Sequence, residues 1–142
     1  MVKNDITKRK WDFLLVTCSE PSVYVNLLQE DIVLITASRS YSSIQTVERE
    51  YILSQPMGEI ESMLNPEIFL RVGRSYIINP LHLKTIVGYV LTFELDNNEK
   101  SITVPRASWD VLLPYLPIIG RRKRVLKKQQ ERIKNRTLQL RI

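Results

Sequence analysis

The sequence predicts a mainly β fold with one or two short helices and a basic C-terminal tail. Three observations predict it. Between turn signals, β-branched and aromatic residues recur with a period near two as far as residue 104, the pattern of half-buried strands. Only two stretches show helical spacing, and each runs into proline. After Gly120 the composition shifts abruptly to lysine and arginine with no continuous apolar stripe. A chain of 142 residues, 44% hydrophobic and 25% charged, holds one core and not two. The expected organisation is a basic extension over residues 1–10, one domain over 11–118 and a basic tail over 119–142.

Strands are expected at residues 11–17, 22–28, 32–37, 41–47, 51–54, 69–72, 76–78, 83–87, 89–95 and 101–104. The clearest is 89–95, where Tyr89, Leu91, Phe93 and Leu95 share one face and Val90, Thr92 and Glu94 the other. Asp96-Asn97-Asn98 follows it with residues that tolerate left-handed backbone in a hairpin turn. A first helix is expected over 57–64. Pro56 suits its first turn, Glu59 and Glu61 complement the positive end of its dipole, and Ile60, Met63 and Leu64 form an apolar face stopped by Asn65-Pro66. This helix should cover Phe69, Tyr76, Ile78, Leu91 and Phe93. A second, short helix should start with Ser108 as N-cap, carry Trp109, Val111, Leu112 and Leu113, and end near Pro114.

The net charge of +6 is unevenly spread. Residues 1–10 carry +3 and residues 119–142 carry +9, so the body between them is at −6, with seven basic residues against thirteen acids. Such a body repels nucleic acid on average, and DNA binding would need a few well-placed arginines with the tail supplying general attraction. The longest apolar stretch, residues 111–119, is broken by Pro114 and Pro117 and is too short to span a bilayer. No signal-peptide pattern opens the chain, so a cytoplasmic location is expected. With one cysteine, Cys18, and one histidine, His82, no internal disulfide and no metal or other cofactor is expected. Four scattered glycines make no phosphate-cradling loop. Glu59 and Glu61 point in different directions on a helix, His82 reads as a structural histidine, and Cys18 reads as a small buried hydrophobe. No catalytic residue is expected.

The informative stretch is Phe69-Leu70-Arg71-Val72-Gly73-Arg74-Ser75-Tyr76-Ile77-Ile78-Asn79-Pro80, followed by Ser101-Ile102-Thr103-Val104-Pro105-Arg106. It resembles the LytTR family of bacterial DNA-binding response-regulator domains, whose core reads F-x-R-x-H-R-S-y-x-V-N and whose later strand ends in V-S-R. The upstream strand of that family is matched by Asp31-Ile32-Val33-Leu34-Ile35-Thr36-Ala37 with Tyr41 after a loop, and the resemblance covers about residues 11–116. Two departures stand out: Gly73 replaces the histidine, and Pro105 replaces the serine before Arg106.

The resemblance implies a multi-stranded β fold in which loops, rather than a recognition helix, enter successive major grooves of double-stranded DNA. Carried over by position, the DNA-binding residues would be Arg39 and Ser40 before Tyr41, Arg74 and Ser75 in the core motif, and Arg106 and Ser108 after the last strand. Arginine can donate bidentately to guanine or pair with phosphate, and serine can serve either. Arg71, alternating with Leu70 and Val72 on a strand, suits an ion pair with a nearby acid at least as well. The expected function is sequence-specific transcriptional regulation without catalysis, with a second protomer on paired direct repeats. This chain leaves no room for a phospho-accepting receiver domain. The alternative is a protein-interaction module that keeps the fold and has lost specific DNA binding.

Overall fold

The computed structural model describes residues 11–18, 20 and 22–120. The basic extension over 1–10 and the tail beyond Gly120 lie outside the described residues. Among the described residues, ten strands and two α-helices follow one another in the expected order. Strands β1 (Phe13–Val16) and β2 (Val25–Leu28) form an antiparallel hairpin. Strands β3 (Ile32–Ser38), β4 (Tyr41–Thr46), β5 (Glu50–Leu53), β6 (Leu70–Val72) and β7 (Tyr76–Ile78) build a five-stranded sheet of order β5-β4-β3-β7-β6. Strands β8 (Leu83–Val87), β9 (Val90–Glu94) and β10 (Glu99–Thr103) form a separate three-stranded sheet. Helix α1 (Met57–Glu61) lies between β5 and β6, and helix α2 (Arg106–Leu112) follows β10.

The five-stranded sheet is the middle layer because its central strand is apolar on both faces. Ile32, Val33, Leu34 and Ile35 of β3 are all fully buried. A bulge between Ile32 and Leu34 shifts the register against β4. It interrupts strict alternation, so Val33 and Leu34 join one apolar cluster while Ile32 and Ile35 join the other. On one side Leu14, Val16 and Leu27 of the hairpin pack with Met57, Ile60 and Leu64 around α1. On the opposite side Leu91, Phe93 and Ile102 of the three-stranded sheet pack with Leu112 of α2.

This layering corrects the expected cover of the first helix. Phe69 does pack with α1, but Ile78, Leu91 and Phe93 belong to the opposite cluster, with Tyr76 packed against it. The residue of β7 that faces α1 is Ile77. The second helix also starts earlier than expected: Pro105 holds the N-cap position at φ −58° and ψ 145°, and Ser108 falls inside the first turn. Proline has no N–H to satisfy and its fixed φ delivers the chain directly into the helix. Cys18, expected to be buried, is exposed two residues after β1.

Two fully buried polar side chains fasten the layers. Gln29 donates to the Trp11 carbonyl (2.7 Å) and accepts from the Asn65 N–H (2.8 Å), tying the start of β1 to the segment after α1. Asn79 donates to the carbonyls of Glu30 (3.2 Å) and Ile32 (3.0 Å) and accepts from Leu81 N–H (3.1 Å). The motif asparagine is thus a clamp between the end of β7 and the start of β3. The His82 Nε2–H donates to the Glu30 carbonyl at 2.6 Å.

Candidate nucleic-acid interface

Antiparallel pairing of β3 with β4 and β7, and of β6 with β7, sends two turns to one end of the middle sheet. Arg39 and Ser40 form the first, a two-residue link between the paired residues Ser38 and Tyr41. Arg39 adopts φ +57°, a region sparsely used by residues other than glycine. Gly73, Arg74 and Ser75 form the second, between the paired residues Val72 and Tyr76. The Ala37 N–H donates to the Ser75 carbonyl at 2.9 Å, which ties the second turn to β3 just before the first turn.

The third expected segment reaches the same end through the other sheet. Thr103 pairs with Val90, and Val104 N–H donates to the Tyr89 carbonyl at 2.8 Å, so α2 begins where β10 leaves its sheet. Thr103, Pro105 and Ser108 then line, with Gly73, Arg74 and Ser75, an open groove of about 490 Å³. The family resemblance puts Arg106-Ala107-Ser108 in a loop; they are the first turn of α2. Arg39, Ser40, Arg74, Ser75 and Arg106 are exposed, whereas Ser108 is half-buried.

Gly73 is required by this meeting of turn and helix. Its φ is +68°, and a Cβ added there would stand 3.0 Å from Ser108 Oγ. A histidine, which the related motif carries at this place, would be strained by the positive φ and would press its Cβ on the Ser108 hydroxyl.

The use of the basic side chains separates the site from the rest of the surface. Of the seven basic residues between 11 and 118, Arg71 pairs with Glu61, Lys84 with Glu99, and Lys100 with Glu50 at 3.7 Å. The hydrogen bond from Lys84 to Glu99 holds that ammonium above the usual lysine range. Arg49 lies over the Tyr51 ring, 4.3 Å from its centroid. Arg39, Arg74 and Arg106 have no ion-pair partner among the described residues. They are the three arginines that the family resemblance assigns to DNA.

Arg71 has the ion pair expected of it, and also contacts that strand alternation could not reveal. Its Nε–H donates to the Gly73 carbonyl (2.8 Å) and its Nη2 to the Arg74 carbonyl (3.2 Å). The Arg71 and Glu61 side chains are 38% and 41% exposed, so the pair adds at most about 1 kcal/mol to stability. Among the described residues no group of His, Cys, Asp and Glu is arranged to hold a metal ion, and no helix is long and apolar enough to cross a membrane.

Residues 22–115 match the LytTr DNA-binding domain family. Over 60 residues the chain is 37% identical to the transcriptional regulatory protein LytR of Staphylococcus aureus, in strains that include COL and MW2. That overlap is 42% of this chain and 24% of the relative, so the chain spans about a quarter of the length of the curated relatives it matches. The fold is similar to that of a LytTr DNA-binding domain from Bacillus cereus, with a TM-score of 0.53 and 20% identity, covering 72% of this chain and 97% of that one.

Proposed function

The chain belongs to the LytTr DNA-binding domain family, and on that premise we propose that it binds duplex DNA sequence-specifically as a bacterial transcriptional regulator in the cytoplasm. The observation that carries the reading is the contrast among the basic side chains. Four are engaged by acids or a ring, and the three left unpaired among the described residues stand on segments gathered at one end of the fold. In a body at −6, unpaired guanidiniums gathered at one end supply the local donors that the whole surface lacks.

Binding proceeds through turns and one helix start, without a recognition helix laid along a groove. Arg39, Arg74 and Arg106 donate bidentately to guanine O6 and N7 or clamp adjacent phosphates, and Ser40 and Ser75 donate to phosphate or base edges beside them. Ser108 contributes from the rim of the groove under Gly73. The tail over 119–142, at +9, adds sequence-independent attraction to phosphate. Two protomers side by side would read paired direct repeats. No catalytic step and no cofactor enters this function.

Alanine at Arg39, Arg74 or Arg106 should cost about 1 to 3 kcal/mol of specific binding wherever the residue reads a base. Stability should move by no more than about 0.5 kcal/mol, since each side chain is exposed and unpaired. Mobility shifts with a duplex selected by the wild type test this, and three variants of wild-type affinity would refute it. The second reading is an interaction module without specific DNA binding. It is favoured by an apolar groove of about 440 Å³ lined by Ile68, Leu81, Leu83, Ile86, Leu116 and Ile118. Failure of the wild type to retain any duplex would support that reading.

A further inference from the structure

We infer that Arg71 is a positioning residue for Arg74: it grips the β6–β7 turn by its backbone carbonyls so that a single unpaired guanidinium is presented to DNA. The inference rests on the DNA-binding reading and deepens it. A three-residue turn leaves carbonyls outside the strand ladder, open to a side-chain donor or to water. The Gly73 carbonyl takes one from Arg71 Nε–H at 2.8 Å and the Arg74 carbonyl takes one from Nη2 at 3.2 Å. Nη1 donates to Glu61 Oε1 of α1. A planar fork of fixed donors can hold two carbonyls and a carboxylate together; a lysine ammonium at the end of a flexible stem cannot.

Two consequences follow for an approaching phosphate. The partial negative charge of both turn carbonyls is directed at a guanidinium, where it cannot oppose the anion. The positive charge of Arg71 is in turn answered by Glu61, so the net attraction of the turn resides in Arg74. Because both partners are more than a third exposed, their pairing matters little to global stability, and its effect is local order.

Glu61 makes the inference separable from simple electrostatics. Deleting an acid beside a DNA-binding surface should strengthen binding by charge alone. Deleting an anchor of the turn should weaken the selected duplex and leave random duplex unharmed. Arg71→Lys separates them from the other side, because it keeps the charge and loses the fork.

The test measures binding of the full-length chain to the duplex selected by the wild type and to random duplex of equal length. The variants are Arg71→Lys and Glu61→Ala, each alone and combined with Arg74→Ala, with thermal unfolding followed in parallel. Both single variants are expected to lose at least about fivefold in selected-duplex affinity, with random-duplex affinity undiminished and melting unchanged. In the Arg74→Ala background neither should cause further loss, since Arg71 acts through Arg74. Wild-type binding by Arg71→Lys, stronger binding of both duplexes by Glu61→Ala, or an undiminished loss in the Arg74→Ala background would each overturn the inference. If Arg74→Ala itself binds the selected duplex like wild type, the assignment of Arg74 to DNA falls together with it. A loss in Arg74→Ala without a loss in Arg71→Lys removes the positioning role alone.

Discussion

Replacing Gly73 by alanine isolates the contact that brings the core turn against the second helix. Two costs can be worked from the geometry. At φ +68°, left-handed backbone costs a residue with a Cβ roughly 1 to 2 kcal/mol. The added Cβ would also stand 3.0 Å from Ser108 Oγ, too close, and 3.9 Å from Ser108 Cβ, an ordinary contact. Only the hydroxyl is in the way. Gly73→Ala should therefore lose about 2 kcal/mol, and Gly73→Ala with Ser108→Ala should recover the steric part while the backbone part remains. Urea unfolding measures both, with an unchanged slope showing that the compactness of the unfolded state is unaltered. An alanine variant as stable as wild type would refute a left-handed residue 73, and full recovery in the double variant would refute the backbone share.

Three further outcomes are expected. Phe93→Ala should lose about 3 to 5 kcal/mol by urea unfolding, because the ring is fully buried between the middle sheet and the three-stranded sheet; a wild-type midpoint would place β9 in the wrong register. Asn79→Ala should lose about 1 to 3 kcal/mol, since the carbonyls of Glu30 and Ile32 are then left without that donor inside the core, and an unchanged midpoint would show that the clamp is not formed. Deleting residues 121–142 should weaken selected and random duplexes alike and flatten the dependence of log K on log salt by about 0.9 for each phosphate that the tail neutralises; unchanged slopes would remove DNA from the roles of the tail.

Strands are legible in the sequence because each carries its own signal. Alternation in 89–95 and the Asp96-Asn97-Asn98 turn predict β9 and its hairpin, and β9 and β10 pair from Glu94–Glu99 to Val90–Thr103. Period two says which residues share a face, not which layer that face meets. Alternation therefore leaves Phe93 free to be placed under α1, when it belongs to the apolar cluster of Val33, Leu34 and Leu112. The bulge in β3 is equally invisible, as an unbroken run from Ile32 to Ile35 carries no mark of where alternation slips. At the candidate site, the arginines at 39, 74 and 106 are legible through motif position. The approach of Gly73 to Ser108 and the hold of Glu61 on Arg71 join residues ten or more positions apart, and no local pattern encodes such pairings.

In the proposed function DNA is read by Arg39, Arg74 and Arg106 together. Selection from a pool of random duplexes, with bound sequences read after several rounds, tests it most directly when the wild type is run beside a variant with alanine at all three positions. The wild type should enrich one motif, and the triple variant should keep weak, salt-sensitive binding while enriching none. Enrichment of the same motif by the triple variant, or of no motif by the wild type, would contradict the account.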